Sequence, residues 1–423
     1  MRQGLVRRVS RSTVLVATAI ACAVAPRARA QEFPTLFRGD EVGPREIDLD
    51  EEAFLNLLSF EQPLESVQPF LAADSGWYTT LGSLLADTLW YQQDFKYRAP
   101  ISDTLAARAA IRNAVDLDTD FTQIQVTPEL LLSDRWTAGI PAVLGADKGT
   151  LDGGLAFTYR DPAAGVDFLR LQWVRSDLVF GQRTDRFPKS EVKRPADNLE
   201  LQWQGVLFGL GRTTLVLADE MPSKVDFVET QRVDEFARFT ARVLHAVEVD
   251  EKQRGFLDAR YEIARERSTP TGPLGAPDAF DGDRDLFSTR VEYQRDLDDD
   301  HVRRWRFGAQ YLYLREDADA PAQPALDHSD LRREVVAYAG YRTPLETTSK
   351  VDLETVVYVD RLRNVHRYPN DPREDGHDPV FQGKISFYFR WHISQRAEFV
   401  IDPTFELDQF GWGGGGVMLR CRM

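Results

Sequence analysis

The chain has 423 residues, 28% of them charged, with 67 Asp and Glu against 52 Lys and Arg, for a formal charge of −15. That acidity argues against a nucleic-acid partner, because phosphate binding needs a basic face. No stretch beyond residue 30 approaches about 18 consecutive apolar residues, so helical membrane spans are excluded too.

The amino terminus reads as an export signal. Arg2, Arg7, Arg8 and Arg11 precede an apolar stretch from Thr13 to Ala25, and Ala28-Arg29-Ala30 then supplies a small-x-small exit before Gln31. This order of charge, short apolar run and small residues is that of a secretory signal over 1–30. A lipoprotein reading would acylate Cys22, but Ala19 stands where a larger aliphatic residue is wanted. Residues 1–30 hold six arginines and no acid, which leaves 46 basic against 67 acidic residues, a charge of −21. Only Cys421 remains beyond them, so no internal disulfide forms, and an exported chain of this size needs a large core or a closed sheet.

Residues 31–75 precede the first strands. Asp48-Leu49-Asp50-Glu51 resembles a capping box, with Phe54, Leu57 and Leu58 on one face after it, so a short amphipathic helix is expected here. It would pack at a barrel mouth, lie in the lumen as a plug, or dock a partner.

From there the chain alternates with period two. Candidate strands run from Thr88 to Arg98, Leu105 to Val115, Phe121 to Leu131 and Trp136 to Leu144, with turns at 100–103 and 133–135. Further on, Leu155, Phe157 and Tyr159 oppose Asp152, Thr158 and Arg160, and Leu199, Leu201 and Trp203 oppose Glu200, Gln202 and Gln204. Leu257, Tyr261 and Ile263 oppose Asp258, Arg260 and Glu262; Trp305, Phe307, Tyr311 and Tyr313 oppose Arg306, Gly308 and Gln310. The pattern is clearest near the end. There Ile385, Phe387, Phe389, Trp391 and Ile393 oppose Lys384, Ser386, Tyr388, Arg390 and His392, and Phe399, Ile401 and Phe405 oppose Glu398, Asp402, Thr404 and Glu406. The last segment sends Val417, Leu419, Cys421 and Met423 one way and Met418, Arg420 and Arg422 the other. A soluble sandwich also alternates, but it seldom carries an aromatic-rich face on strand after strand with ionisable groups opposite.

Connections alternate as well. Short ones lie at 161–165, 209–211, 248–254, 297–302, 343–349 and 394–395; long ones lie at 181–196, 220–233, 268–285, 316–330 and 364–379. Outer-membrane barrels have this rhythm of short periplasmic turns and long extracellular loops. The expected fold is all-β, a transmembrane antiparallel up-and-down barrel of 16–18 strands over 76–423. Trp77 to Leu85 supplies an eighteenth strand, or Phe121 to Leu144 is one bent passage and the count falls to 16.

On these features the chain from about Thr88 resembles the Gram-negative outer-membrane β-barrels of the porin-like class. The resemblance implies outer-membrane residence among lipid and lipopolysaccharide, handling by the barrel-assembly machinery, passage of a small solute, and no cofactor; it leaves a homo-oligomer open. Barrels of the class typically end in an aromatic residue, whereas this chain ends in Met423.

The inward face is where function is expected. The lumen-lining candidates are Arg238, Arg242, Arg260, Glu262, Arg306 and Lys384, with Arg390, Glu398, Asp402, Glu406, Arg420 and Arg422. A turn at 394–395 sets Lys384 opposite Glu406 and His392 opposite Glu398. A turn near Glu251 sets Arg242 opposite Glu262 and Arg238 opposite Glu266, and Asp402 is expected near Arg420. Each opposite-charge pair contributes roughly 0.2–1 kcal/mol. Such ladders fix register, line an aqueous pore, or both. His392 and Ser394 are the nearest thing to a catalytic pair, but they sit two apart at a turn without a glycine-rich surround. The acidic loop with Asp371, Glu374, Asp375, His377 and Asp378 fits a solvated loop better than a calcium loop. A diffusion channel for small hydrophilic solutes is the leading reading, an export or envelope-assembly component the second, and an outer-membrane hydrolase the third.

Overall fold

A computed structural model describes residues 76–83, 89–115, 120–145, 151–179, 190–194, 197–207, 209, 211–228, 231–275, 279–299, 302–320, 322, 328–345, 350–367, 375–376, 380–394, 397–407 and 411–422. The export signal, the 31–75 extension with its expected helix, and most of the acidic loop lie outside the described residues.

The first half contains β1 (Gly76–Ser83), β2 (Leu89–Pro100), β3 (Leu105–Val115), β4 (Asp120–Leu131), β5 (Trp136–Gly139), β6 (Ala142–Gly145), β7 (Leu151–Asp161), β8 (Val166–Val179), β9 (Ser190–Arg194) and β10 (Asp197–Val206). The second contains β11 (Arg212–Phe227), β12 (Arg232–Glu248), β13 (Gln253–Pro270), β14 (Phe280–Asp296), β15 (Arg304–Asp319), β16 (His328–Pro344), β17 (Val351–Arg367), β18 (Asp375–Gly376), β19 (Val380–Ser394), β20 (Ala397–Glu406) and β21 (Trp412–Arg422). Every pairing is antiparallel. The pieces β5 and β6 both pair with β4 and β7 and form one passage, broken at Ile140-Pro141 where the proline has no N–H for the ladder. Likewise β9 and β10 both pair with β11 as parts of one passage, and β18 and β19 both pair with β17. Eighteen passages result.

The ring closes. β1 pairs with β2 on one side and with β21 on the other, in unbroken register from Gly76↔Arg422 to Ser83↔Gly415. The expected strand over 77–85 is therefore the one that joins the two ends, and 121–144 is a hairpin turning at 132–135 rather than one bent passage. In hydrocarbon an unpaired strand edge leaves N–H and C=O groups with no partner, so closure is what lets this sheet sit in lipid.

Burial follows the alternation. On β14, Phe287, Val291 and Tyr293 are exposed on the outer face while Leu286, Arg290, Glu292 and Gln294 are buried on the inner one. Aromatic side chains meet in a row near the short turns, with Trp305 against Tyr341 at 4.7 Å and Trp391 against Phe399 at 5.7 Å between ring centroids. This is the girdle expected at a membrane interface.

The long connections differ from expectation. The ladders of β11–β12, β13–β14, β15–β16 and β17–β18 run on through segments whose Pro, Asp and Gly content suggested loops, reaching Phe227↔Arg232, Ser268↔Phe280, Ala318↔His328 and His366↔Asp375. Strands β11 to β17 are 16–18 residues long, about 40 Å of height for a tilt near 40°, against an apolar band of about 25 Å. The surplus stands in water beyond the outer leaflet, where charged residues on both faces of a ladder cost nothing.

A cross-link tests the seam. Neighbouring antiparallel pairs alternate between wide and narrow spacing, so one of the pairs Thr79/Leu419 and Thr80/Met418 suits a disulfide. With Cys421 replaced by Ser, one of these double-cysteine variants should oxidise to a circularised barrel of altered mobility on a non-reducing gel. If neither forms, the ring is open.

Candidate functional site

The inward face of β14 to β20 carries a continuous polar network built on two glycines. Gly308 on β15 lies directly opposite Tyr338 on β16, and a Cβ there would come within 2.1 Å of the tyrosine ring. The missing side chain lets Tyr338 lie across β15, where Arg290 donates to its hydroxyl at 2.8 Å and the hydroxyl donates to Glu292 at 2.6 Å. One pair along, Gly340 lies opposite Arg306 and next to Val356 of β17, and a Cβ there would meet Val356 at 2.9 Å. Arg306 crosses this gap to pair with Glu354 of β17 at 2.8 Å, two strands away from its own. Arg390 of β19 holds the other oxygen of Glu354 at 2.7 Å and also lies 3.7 Å from Glu398 of β20. Tyr358 and Tyr388 share a hydroxyl–hydroxyl bond of 2.8 Å, and the Arg306 guanidinium sits 5.6 and 5.8 Å from the Tyr338 and Tyr388 rings.

Arg290, Arg306 and Arg390 thus balance Glu292, Glu354 and Glu398, and Arg332 pairs with Glu334 beside them at 2.8 Å. Arg306 is 2% and Arg332 0% exposed. Buried charge is tolerated when it is paired and hydrogen-bonded. Arg290, Arg332 and Arg390 meet both conditions, whereas Arg306 lies at ion-pair distance from Glu354 and Glu292 without hydrogen-bond geometry. Beneath the long side chains lies an apolar floor of Val336, Val356, Val400 and Met418, with Leu286, Leu312 and Leu314 forming a second patch. The interior is therefore not uniformly wet, as alternation alone would have it. Short apolar residues leave the volume that Arg, Glu and Tyr fill.

A second network spans β2 to β8. Glu129 of β4 receives Arg98 at 2.7 Å, Arg108 at 3.1 Å and Arg170 at 3.6 Å, and Gln125 and Arg170 both donate to Gln172.

The wall at β12 and β13 is different. Arg242 faces Arg260 directly across the two strands, not Glu262, and Arg238 faces Ala264, not Glu266. The expected pairs are those of a turn centred on residue 252; the ladder centres on Glu251, and that one-residue difference moves every partner by two. Each arginine instead takes a carboxylate from β13: Arg242 binds Asp258 at 2.6 Å and Arg260 binds Glu262 at 2.8 Å. Their side chains keep 35% and 43% of their surface accessible, unlike the network on β14 to β20. Arg238 and Glu262 are buried nearby at 8% and 4%.

Near the last hairpins the register matches expectation at Lys384↔Glu406 and His392↔Glu398. Asp402, 3% exposed, faces Gly416 rather than Arg420, whose strand position is opposite Glu398. Arg420 and Arg422 lie on the inward parity of β21, and their side chains are outside the described residues. His392 is not paired with Ser394. Its Nε2 meets Asp352 at 2.8 Å beside Arg342, at the turn end of the barrel. Asp296 binds Arg304, and Asp298 accepts the backbone N–H groups of Val302 and Arg303, so the acidic turn after β14 is a structural cap. There Asp299, 2.6 Å away, holds Lys252 above its ordinary pKa. Among the described residues no group of His, Cys, Asp and Glu could hold a metal.

Arg290, Glu292, Tyr338, Glu354 and the whole Glu129 cluster went unpredicted. Parity marks Arg290 and Glu292 as inward once Val291 and Tyr293 are read as outward, but nothing local signals that Arg306 reaches past its neighbour to a third strand.

A closed antiparallel ring with an apolar, aromatic-girdled outside and a charged inside is the architecture of an outer-membrane β-barrel. No family model matches the chain and no curated protein matches it. Solved structures similar to it include OpdQ of Pseudomonas aeruginosa, at 10% identity over 82% of this chain and 96% of that one with a TM-score of 0.37. OccAB2 of Acinetobacter baumannii is similar at 11% identity over 82% and 97% with a TM-score of 0.37. A bacterial polysaccharide outer membrane secretin is similar at 8% identity over 83% and 99% with a TM-score of 0.35.

Two substitutions probe the network. Glu354→Gln leaves Arg306 and Arg390 buried without their shared counter-charge and should cost on the order of 3 kcal/mol in urea unfolding from lipid vesicles. Gly308→Val should displace Tyr338 and cost about 1–3 kcal/mol. Unchanged midpoints for both would show that the network does not hold the wall.

Proposed function

We propose that the barrel is a diffusion channel for small hydrophilic solutes, with selectivity set by its inward charged residues. The observation that carries this reading is the accessible pair Arg242 and Arg260. They face inward in a ring whose outside is apolar, yet more than a third of each side chain is open to water. Charged groups stay solvated there only if the lumen beside them holds water. A round ring of 18 strands would span about 36 Å between backbones, wide enough for water inside a layer of side chains.

In this reading the β14 to β20 network, Glu398 included, is a rigid, electrically balanced wall, while Arg242, Arg260, Lys384 and Glu406 line the path that a solute meets and the buried Glu262 holds Arg260 in place. Arg238, Arg306, Arg390 and Asp402 support that lining from beneath, and Arg420 and Arg422 extend it toward the seam. Because carboxylates flank the arginines, discrimination would come from local pairing more than from net charge.

The purified full chain in a planar bilayer should conduct, and a salt gradient should give a non-zero reversal potential. Arg242→Gln with Arg260→Gln should leave the barrel folded and move that potential toward cations. Removing residues 31–75 should leave conductance equal or raised. A folded barrel that never conducts, with or without 31–75, would overturn the channel and favour an export or assembly role.

A further inference from the structure

We infer that the outer face of β16 and β17 carries a binding site for the phosphate groups of outer-leaflet lipid, centred on Arg333 and Arg363. The two arginines lie directly opposite each other across the β16–β17 ladder, and Arg361 lies opposite Val335, one outward position nearer the membrane. All three are on the outward parity and exposed. Opposed residues on adjacent strands have Cβ atoms about 5 Å apart, where like charges destabilise the pair. A ladder that places two guanidinium groups there calls for an anion between them.

The height of the cluster says which anion. Going up from the short turns, the outer face of β15 runs from Trp305 to Tyr313, eight steps or about 21 Å along the membrane normal at the usual tilt. Tyr313 then lies opposite Arg333, and the Arg333 guanidinium is 5.8 Å from its ring centroid. On β17 the exposed Val357 and Val359 end the apolar run where Arg361 begins. The arginines thus stand at the margin of the apolar band on the long-loop side, at the level of the outer-leaflet headgroups.

Neighbouring outward arginines at this height have built-in partners: Arg265 binds Asp283 at 2.7 Å, Arg267 binds Asp281 at 2.5 Å, and Arg315 binds Asp317 at 2.6 Å. Among the described residues no carboxylate lies within ion-pair reach of Arg333 or Arg363. Two forked guanidinium groups match the oxygens of a phosphate monoester, each charge-assisted bond being stronger than a neutral one. The apolar wall below would take the acyl chains of the same lipid.

The test uses the full chain folded in neutral detergent, titrated with bisphosphorylated lipid A and followed by native mass spectrometry. Arg333→Gln with Arg363→Gln should weaken binding about tenfold or more, as expected for losing one or two charge-assisted bonds. Arg265→Gln with Arg267→Gln should leave it unchanged, and dephosphorylated lipid A should bind wild type and variant alike. Thermal unfolding supplies a reading that a purely structural role would not give. Without lipid the Arg333/Arg363 variant should melt at the same or a higher temperature than wild type, and with lipid A it should lose the stabilisation that wild type gains. Equal lipid A binding by variant and wild type would overturn the site. Displacement by inorganic phosphate at matched phosphate concentration would overturn the lipid assignment in favour of a free-anion site. If the double variant does not fold, Arg363→Gln alone should give the same direction with a smaller loss, and no loss would sink the proposal.

Discussion

Hydrocarbon offers no hydrogen bonds, and the rest of this structure depends on that. A single unpaired N–H or C=O in lipid costs several kcal/mol, so a sheet in the membrane must return to its own first strand. The register of β1 against both β2 and β21 meets this requirement. Closure separates two surfaces with opposite demands, and period-two alternation distributes the sequence between them. An acidic chain with unremarkable bulk hydropathy can thereby present Phe287, Val291 and Tyr293 to lipid while burying Arg290 and Glu292 on the other face of the same strand.

Alternation was legible because it is local. Residues 381–407 reveal strand direction, face and even register at Lys384↔Glu406, since a two-residue turn leaves little freedom. Composition misled at the loops. Pro, Gly and Asp in 268–285 or 316–330 mark solvent exposure, and the ladders that continue through them are exposed too, standing beyond the lipid. A wet strand and a wet loop have similar compositions. The register at β12–β13 failed for a different reason: a turn centre wrong by one residue moves every cross-strand partner by two, turning an expected Arg242–Glu262 pair into Arg242 facing Arg260.

The polar network was illegible because its partners are not adjacent. Cross-strand rules connect nearest neighbours, but Arg306 reaches Glu354 over an intervening strand, which needs Gly340 beneath the path and small apolar residues around it. In sequence Gly308 and Gly340 look like ordinary interruptions of a strand. Their meaning appears only once the register puts Tyr338 opposite the one and Arg306 opposite the other.

The interior thus divides by the ease with which its charges reach water. On β14 to β20 Arg290, Arg306, Arg332 and Arg390 are each matched by a glutamate and shielded, so a passing ion would feel a nearly neutral wall there; moving one of those side chains would break several contacts at once. On β12 and β13 the arginines are held by one carboxylate each and remain open to solvent. Field strength in an aqueous path falls with screening over about 8–10 Å at physiological salt, so groups at the water boundary dominate what a solute senses. Stiffness and selectivity would then reside on adjoining parts of one ring, and substitutions could alter the second without loosening the first.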